Sequence, residues 1–345
     1  MRRVLPTGHD ALKLVERWRA ADSEGKGLVA EDAKVARGTL ANFVSQFQPP
    51  ESQINIPPIH EYIPVKGGSP ETQVALLSDL HDCEITPSYN HEVFRARLAE
   101  LFQRIMTINH LHRKMYPVND LELFFLGDSV HGENPHQGAK LESVKCGAMS
   151  QVYDNLLPEL VGFVLSLRQE FATVKLRCVP GNHGRVSKEA PETSNWDNML
   201  YHALKGTHWP EGVEVHVPHD FCQIVTIQGH RFFLFHGDQT QMSNGIPYFA
   251  LTRKVNSWYI TYGGFEYACC GHFHKDDFLR LSAMLKLFMN GSFVTDDPFA
   301  LKVMGTSSVP SQWTFGVHAK HGVTWSYSLV LDEAYSPGKV PVRVS

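Results

Sequence analysis

The sequence predicts an α/β fold: two stacked mixed β-sheets flanked by helices, with a small N-terminal helical segment. Three observations predict it. From Val74 onward, short apolar runs alternate with polar loops and amphipathic stretches, the strand–loop–helix grammar of an α/β sheet. After Val213 the pattern turns strand-rich. A chain of 345 residues, 43% hydrophobic and 20% charged, can also bury the core that such layers need.

In chain order, "DALKLVERWRAA" spaces Leu12, Leu14, Val15 and Trp18 on roughly one helical face, and "AEDAKVARGTLANFVSQF" does the same with Val35, Leu40, Phe43 and Val44. Residues 1–47 therefore read as a helical segment. Gly38 and Thr39 could form the turn of a helix-turn-helix module; the near balance of acids and bases favours a plain helical hairpin. Residues 48–72 are rich in proline and glycine and read as an extended linker, leaving 73–345 as the main domain. There "VALLSDLHD" is a strand with a charged end, and "HEVFRARLAELFQRIMTINHLH" is a long amphipathic helix. "LELFFLGDSVHG" is a second strand and loop, followed by a helix from near Ala139 to Gln169. "VKLRCVPGNHGR" is a third, followed by the helix "NWDNMLYHALKG". "FCQIVTIQGHRFFLFHGD" reads as a hairpin turning at Gln228 and Gly229, and the helix "PYFALTRKVNSWYITY" separates it from "YACCGHFH". The tail "WTFGVHAKHGVTWSYSLVLD" is another hairpin.

A formal charge of −4 argues against a polybasic protein that coats nucleic acid, but leaves open an enzyme that meets phosphates through metal ions. No apolar run approaches the roughly 20 residues of a spanning helix. The start "MRRVLPTGHD" lacks the apolar stretch of a signal peptide. The expectation is a cytoplasmic protein with no membrane contact. The six cysteines show no CxxC pair, so reduced thiols are the expectation. Nineteen histidines are the compositional oddity.

Five polar signatures follow apolar strands: Asp79-Leu80-His81, Gly127-Asp128, Gly181-Asn182-His183, His236-Gly237 and Gly271-His272-Phe273-His274. Each would leave a sheet at the same edge, where α/β proteins collect their chemistry. Singly they are cheap: a glycine-aspartate pair is usually a turn, and Asn182 is as readily a capping residue. His272 and His274, one residue apart, would face the same way in a strand and could grip a metal or be ordinary loop residues. Chance does not readily supply all five, in order, each at a strand exit.

The series resembles the calcineurin-like metallophosphoesterase superfamily, whose motifs run D-x-H, G-D, G-N-H-[DE], H and G-H-x-H. The match spans Val74 to Phe278, and the strand-rich tail to about Leu331 fits the rest of that fold. The "GNHGR" form and the later "NGSF" are similar to phage-type and other microbial phosphoesterase-like proteins. The resemblance implies two divalent metal ions bridged by Asp128, with Asp79, His81 and His274 on one and Asn182, His236 and His272 on the other. Nitrogen and oxygen donors without thiolate suit Mn²⁺, iron, Ni²⁺ or Zn²⁺, with manganese the first expectation. It further implies that His183 acts as general acid or transition-state stabiliser. The acidic residue that follows that histidine in the family is Gly184 here. Asp197, in the helix after the loop, is the candidate substitute carboxylate, against the alternative of a solvated helix residue. Arg185 is a candidate contact for substrate phosphate. His131, in "GDSVHG", could touch substrate.

Hydrolysis of nucleic-acid or nucleotide phosphodiesters by metal-activated water is the expected activity. A phosphomonoesterase and a non-catalytic metal-binding module for DNA or protein are the alternatives. A nuclease could use a local patch of Lys140, Lys145, Arg185 and Lys188.

Overall fold

The computed structural model describes residue 14 and residues 17–33, 37–46, 67–133, 144–187, 189–191, 193–240, 246–296 and 309–332. The chain separates into two compact units, Met1–Asn55 and Ile56–Ser345.

In the first unit, Ser23–Asp32 and Arg37–Gln46 are helical, and Asp22 caps the former by accepting from the Gly25 N–H at 2.8 Å. Leu14, Trp18, Val29, Ala30, Leu40 and Val44 make its small core. Gly38 and Thr39 lie inside the helix Arg37–Gln46 and so do not form a turn. Residues 17–20, within the expected helix "DALKLVERWRAA", are helical; the helix Ser23–Asp32, with Gly25 and Gly27 in its opening turns, carries little helix propensity and left no sequence signal.

Residues 48–66 of the expected linker lie outside the described residues, and the second unit's first strand, β1, runs Glu71–Leu77. It pairs in parallel with β2 (Asp120–Phe125), which pairs in parallel with β3 (Thr173–Cys178), and β3 with β4 (Val213–His216). On the other side of β1 come β10 (Ser311–His318) and β11 (Gly322–Val330), both antiparallel. The second sheet has the order β5 (Cys222–Ile227), β6 (His230–Phe235), β7 (Tyr267–Cys270), β9 (Lys286–Met289), β8 (Asp277–Arg280). Within it β6, β7 and β9 are mutually parallel. Both sheets are therefore mixed, and helices flank them as the sequence predicts.

Strand alternation builds the layers. Val74, Leu76 and Phe124 join Phe232, Leu234, Tyr267, Phe288 and Phe315 in the core between the sheets. Their neighbours Ala75, Leu77, Leu123 and Phe125 face the helices His91–Arg113, Leu157–Glu170 and Trp196–Gly206. Phe233, Phe235, Ala268 and Leu287 face the helix Tyr248–Thr261. β1 is buried along its whole length, as a central parallel strand must be. Gln73 is satisfied there by Thr314 and Asn109 side chains, both at 3.1 Å.

The helix expected from Ala139 begins at Ala148; residues 139–143 lie outside the described residues. It widens into a π-helical turn at Gln151–Leu156. Cys83 and Cys146 form a disulfide across 63 positions, which corrects the expectation of six reduced thiols. Cys178, Cys222, Cys269 and Cys270 are free and buried. Among the described residues, no helix is long and apolar enough to cross a membrane.

Candidate metal centre

The parallel order of β1, β2 and β3, and of β6 and β7, sends their C-terminal ends to one edge of the molecule. The first two loops stay paired beyond their strands: His81 N–H donates to the Asp128 carbonyl at 3.0 Å, and Asp82 N–H to the Ser129 carbonyl at 3.1 Å. The loop after β9 joins them, since Ser292 Oγ and Phe293 N–H both donate to the Asp79 carbonyl at 3.0 Å. That is the place of the "NGSF" stretch singled out in the sequence.

These exits bring the seven expected metal donors together. Asp79, His81 and His274 each offer one ligand atom within 4.8 Å of the others, and so do Asp128, His236 and His272. His81 Nε2 and His274 Nε2 are 3.1 Å apart, and His274 Nε2 is 3.3 Å from Asp79 Oδ1. His236 Nε2 lies 2.9 Å from Asp128 Oδ2 and 3.2 Å from Asn182 Oδ1. The groups adjoin, because His272 of the second donates its backbone N–H to both Asp79 oxygens of the first, at 3.1 and 3.0 Å. His236 is oriented from behind, Nδ1 donating to the Leu126 carbonyl at 2.7 Å, which leaves Nε2 facing the site.

The backbone is strained here. Asp79, His81, Asp128, His272 and His274 have φ of 54°, 43°, 52°, 74° and 54°, which makes them five of the eight non-glycine residues with positive φ among those described. Left-handed backbone at such residues costs of order 1 kcal/mol each and persists only where surrounding contacts impose it. Gly181 shows how tight the loops are: a Cβ there would occupy the Asp128 carboxylate.

Electrostatics follow from burial and proximity. Burial alone would raise the Asp79 carboxyl, but hydrogen bonds from His274 and His81 hold it far below the usual range. Asp128 is likewise held well below it, burial being outweighed by His236 and His183. Burial would lower His81 and His236, yet Asp79 with Asp128 lifts His81 to about 9, and Asp128 lifts His236 to about 10. His272 is lowered to about 4, chiefly by burial, and His183 is pushed well below 6.5 by the same cause. The carboxylates thus draw positive charge to both groups.

Asp197 and Arg185 are both engaged by other groups of the chain. Asp197 does not meet His183. Its carboxylate is buried and accepts four backbone N–H groups, from Asp128 at 2.8 Å, Gly181 at 2.9 Å, and Ser129 and Val130 at 3.1 Å. It is therefore neither a solvated helix residue nor the partner of His183, but the anchor of two site loops. Burial and the Asp128 charge raise its pKa to about 6 despite those bonds. His183 instead donates Nδ1–H to the His131 carbonyl at 3.3 Å, and its Nε2 lies 3.9 Å from Asp128 Oδ2. Gly184 has a steric reason: a Cβ would collide with the Asn195 side-chain oxygen and come within 2.9 Å of the Asp197 nitrogen. Arg185 is half exposed and forms a 2.6 Å ion pair with Asp238, so its guanidinium is held at the rim rather than free. Of the expected basic patch, Lys140 and Lys188 lie outside the described residues.

Glu84 is the site residue with no sequence signal. It sits 3.3 Å from His131 Nδ1, and His131 in turn forms a third donor group with His81 and His183. Burial would raise Glu84, but the His131 bond and the nearby histidine charges bring it down to about 2.

No protein-family model and no curated protein matches the chain. Among solved structures, it is similar to a predicted phosphoesterase from Streptococcus pneumoniae (12% identity, 75% of this chain, 98% of that one, TM-score 0.32). Vps29 from Entamoeba histolytica, complexed with zinc, matches at 12% identity over 75% of this chain and 99% of that one, with TM-score 0.32. A 5'-nucleotidase from Candida albicans matches at 12% identity over 79% of this chain and 53% of that one, with TM-score 0.36. At these levels no chemistry carries over, and the functional reading rests on this chain's own residues.

Proposed function

We propose that the chain is a dinuclear metal-dependent phosphoesterase that hydrolyses nucleic-acid or nucleotide phosphodiesters. The observation that carries this is the pair of adjoining donor groups, each a buried carboxylate with two imidazoles. The donors suit divalent cations. His81 Nε2 and His274 Nε2, 3.1 Å apart beside an Asp79 carboxylate oxygen, converge on one point, and no thiolate takes part. Asp79, His81 and His274 would hold one ion and Asn182, His236 and His272 the other, with Asp128 shared and manganese first in order, ahead of iron, zinc and nickel. Bound there, such ions would lower the pKa of a shared water and clamp phosphate oxygens.

The chain's own residues supply the rest. His183 keeps Nδ1–H on the His131 carbonyl, which leaves Nε2 to carry a proton to the leaving oxygen. Burial favours the neutral ring, so Nε2 takes up a proton from water before passing it to the leaving oxygen and returns to the neutral form afterwards. Asp197 fixes Asp128 through the backbone, and Asp79 fixes His272 in the same manner. The similarity of "GNHGR" to phage-type phosphoesterases favours a diester of nucleic acid or nucleotide over a monoester.

The test compares bis-p-nitrophenyl phosphate with p-nitrophenyl phosphate in the presence of Mn²⁺. Diester turnover that falls to background in Asp128→Asn is the expected result. Bound Mn²⁺ with turnover of neither ester would refute the enzyme and favour the binding-module alternative.

A further inference from the structure

A third donor group borders the two that would hold the ion pair. His81, His131 and His183 each offer a ring nitrogen within 4.8 Å of the others. Their ring centroids stand 4.4 Å apart for His81 and His183, 5.4 Å for His131 and His183, and 5.6 Å for His81 and His131. The imidazole pairs of the first two groups, His81 with His274 and His236 with His272, both stand at 5.0 Å. The third set is therefore spaced much as those pairs are.

The contacts of each ring show which nitrogen is open. His183 has Nδ1 on the His131 carbonyl, which leaves Nε2. His131 presents Nδ1 to Glu84 Oε2 at 3.3 Å, which again leaves Nε2. An oxygen behind one ring nitrogen is the usual setting of a histidine that ligates through the other, and His236 has it from the Leu126 carbonyl. His81 turns Nε2 toward His274, and its Nδ1 is buried without a hydrogen-bond partner. A buried polar atom left unpaired carries a penalty, and a cation bound to it removes that penalty. The Glu84 carboxylate against the group suits a cation and opposes an anion.

We propose that His81, His131 and His183 form a third cation site, selective for Zn²⁺ over Mn²⁺, whose occupancy stops turnover. Imidazole donors suit Zn²⁺, whereas Mn²⁺ prefers the carboxylate and carbonyl oxygens that the first two groups supply. His131 and His183 each give an Nε2 lone pair. His81 bridges, Nε2 to the first ion and Nδ1 to the third, and releases its ring proton to water. An ion on His183 Nε2 takes the lone pair that would carry a proton to the leaving oxygen. The inhibition rests on the phosphoesterase reading above; the number of ions bound does not.

Bound metal is therefore counted apart from turnover. The full chain is dialysed against a small excess of Zn²⁺ or Mn²⁺, and the metal retained is measured by elemental analysis. The wild type retains one more Zn²⁺ than Mn²⁺, and His131→Ala loses that Zn²⁺ while its Mn²⁺ count is unchanged. Glu84→Gln keeps all three imidazoles, weakens the extra Zn²⁺ by about 10–100-fold in calorimetric titration, and serves if His131→Ala does not fold. Equal counts of the two metals in the wild type overturn the site, as do a Zn²⁺ count and affinity unchanged in both variants. With bis-p-nitrophenyl phosphate at saturating Mn²⁺, added Zn²⁺ inhibits the wild type, and Glu84→Gln needs about 10–100-fold more for the same effect. Equal sensitivity would overturn the inhibitory role, since exchange of Zn²⁺ into the ion pair inhibits both alike. An extra Zn²⁺ in a chain that hydrolyses no ester would refute the phosphoesterase and keep the site; hydrolysis without an extra Zn²⁺ would do the reverse.

Discussion

Replacing Asp197 by asparagine keeps the side chain's shape and changes one acceptor oxygen into an NH₂ group. Oδ2 accepts from Asp128 and Gly181, and Oδ1 from Ser129 and Val130. Whichever way the amide turns, its NH₂ confronts two backbone N–H groups, so two of the four bonds are lost. Bonds to a charged acceptor contribute roughly 1.5–3 kcal/mol each, which puts the gross loss at about 3–6 kcal/mol. Against this stands the carboxylate's own burial. The pKa, raised from 3.8 to about 6 even with those bonds in place, shows that burial and the Asp128 charge penalise the ionised form, a penalty that an amide avoids. The two effects oppose, which leaves a net destabilisation of order 1 kcal/mol, read as a lower urea midpoint at unchanged slope. Both loops it anchors carry donors, so activity on bis-p-nitrophenyl phosphate, or apparent Mn²⁺ affinity, falls by roughly 10–100-fold. The pH profile of the residual activity stays in place, because Asp197 exchanges no proton with substrate. Wild-type stability together with wild-type kinetics would refute the anchoring role, and a shifted pH profile would return Asp197 to acid–base chemistry.

Two further outcomes follow from the same contacts. Gly184→Asp, which restores the acidic residue of the resembled family, meets the Asn195 oxygen and lowers stability by about 1–3 kcal/mol, as overpacking does, with activity reduced; a more active, equally stable variant would contradict this. Glu84 has a folded pKa of about 2 against 4.5, so its stabilisation is present above pH 4.5 and is lost as pH falls toward 2. Between pH 5 and pH 3 the wild type therefore loses about 2 kcal/mol that Glu84→Gln does not, and equal losses in urea titrations at the two pH values would remove the Glu84–His131 pair as the cause.

The clustering of the candidate donors was legible because each stands at the end of an apolar strand, so strand reading and motif reading supported one another. The roles that depend on loops meeting across long separations were not. Asp197 lies in the first turn of a helix, and its relation to Asp128, 69 positions away, appears only when β2, β3 and the helix Trp196–Gly206 are packed together. Glu84 and His131 meet because the loops after β1 and β2 continue side by side, with a bridge between Asp82 and Val130. Cys83 and Cys146 are joined by the fold and carry no spacing signal. Gly184 looked like a gap in a motif; it is a steric requirement set by Asn195.

The two donor groups also have a mechanical consequence. Asp79 and His81 leave the first sheet while their companion His274 leaves the second, and Asp128 of the first sheet likewise meets His236 and His272 of the second. Sliding one layer over the other by a fraction of an ångström would pull both triads open together. What resists that shear is the stack of rings across the seam, Phe315 of the first sheet lying on Phe288 at 4.5 Å and on Phe232 at 5.9 Å of the second. The aromatic seam, which includes none of the donors, is the part that keeps them in registry.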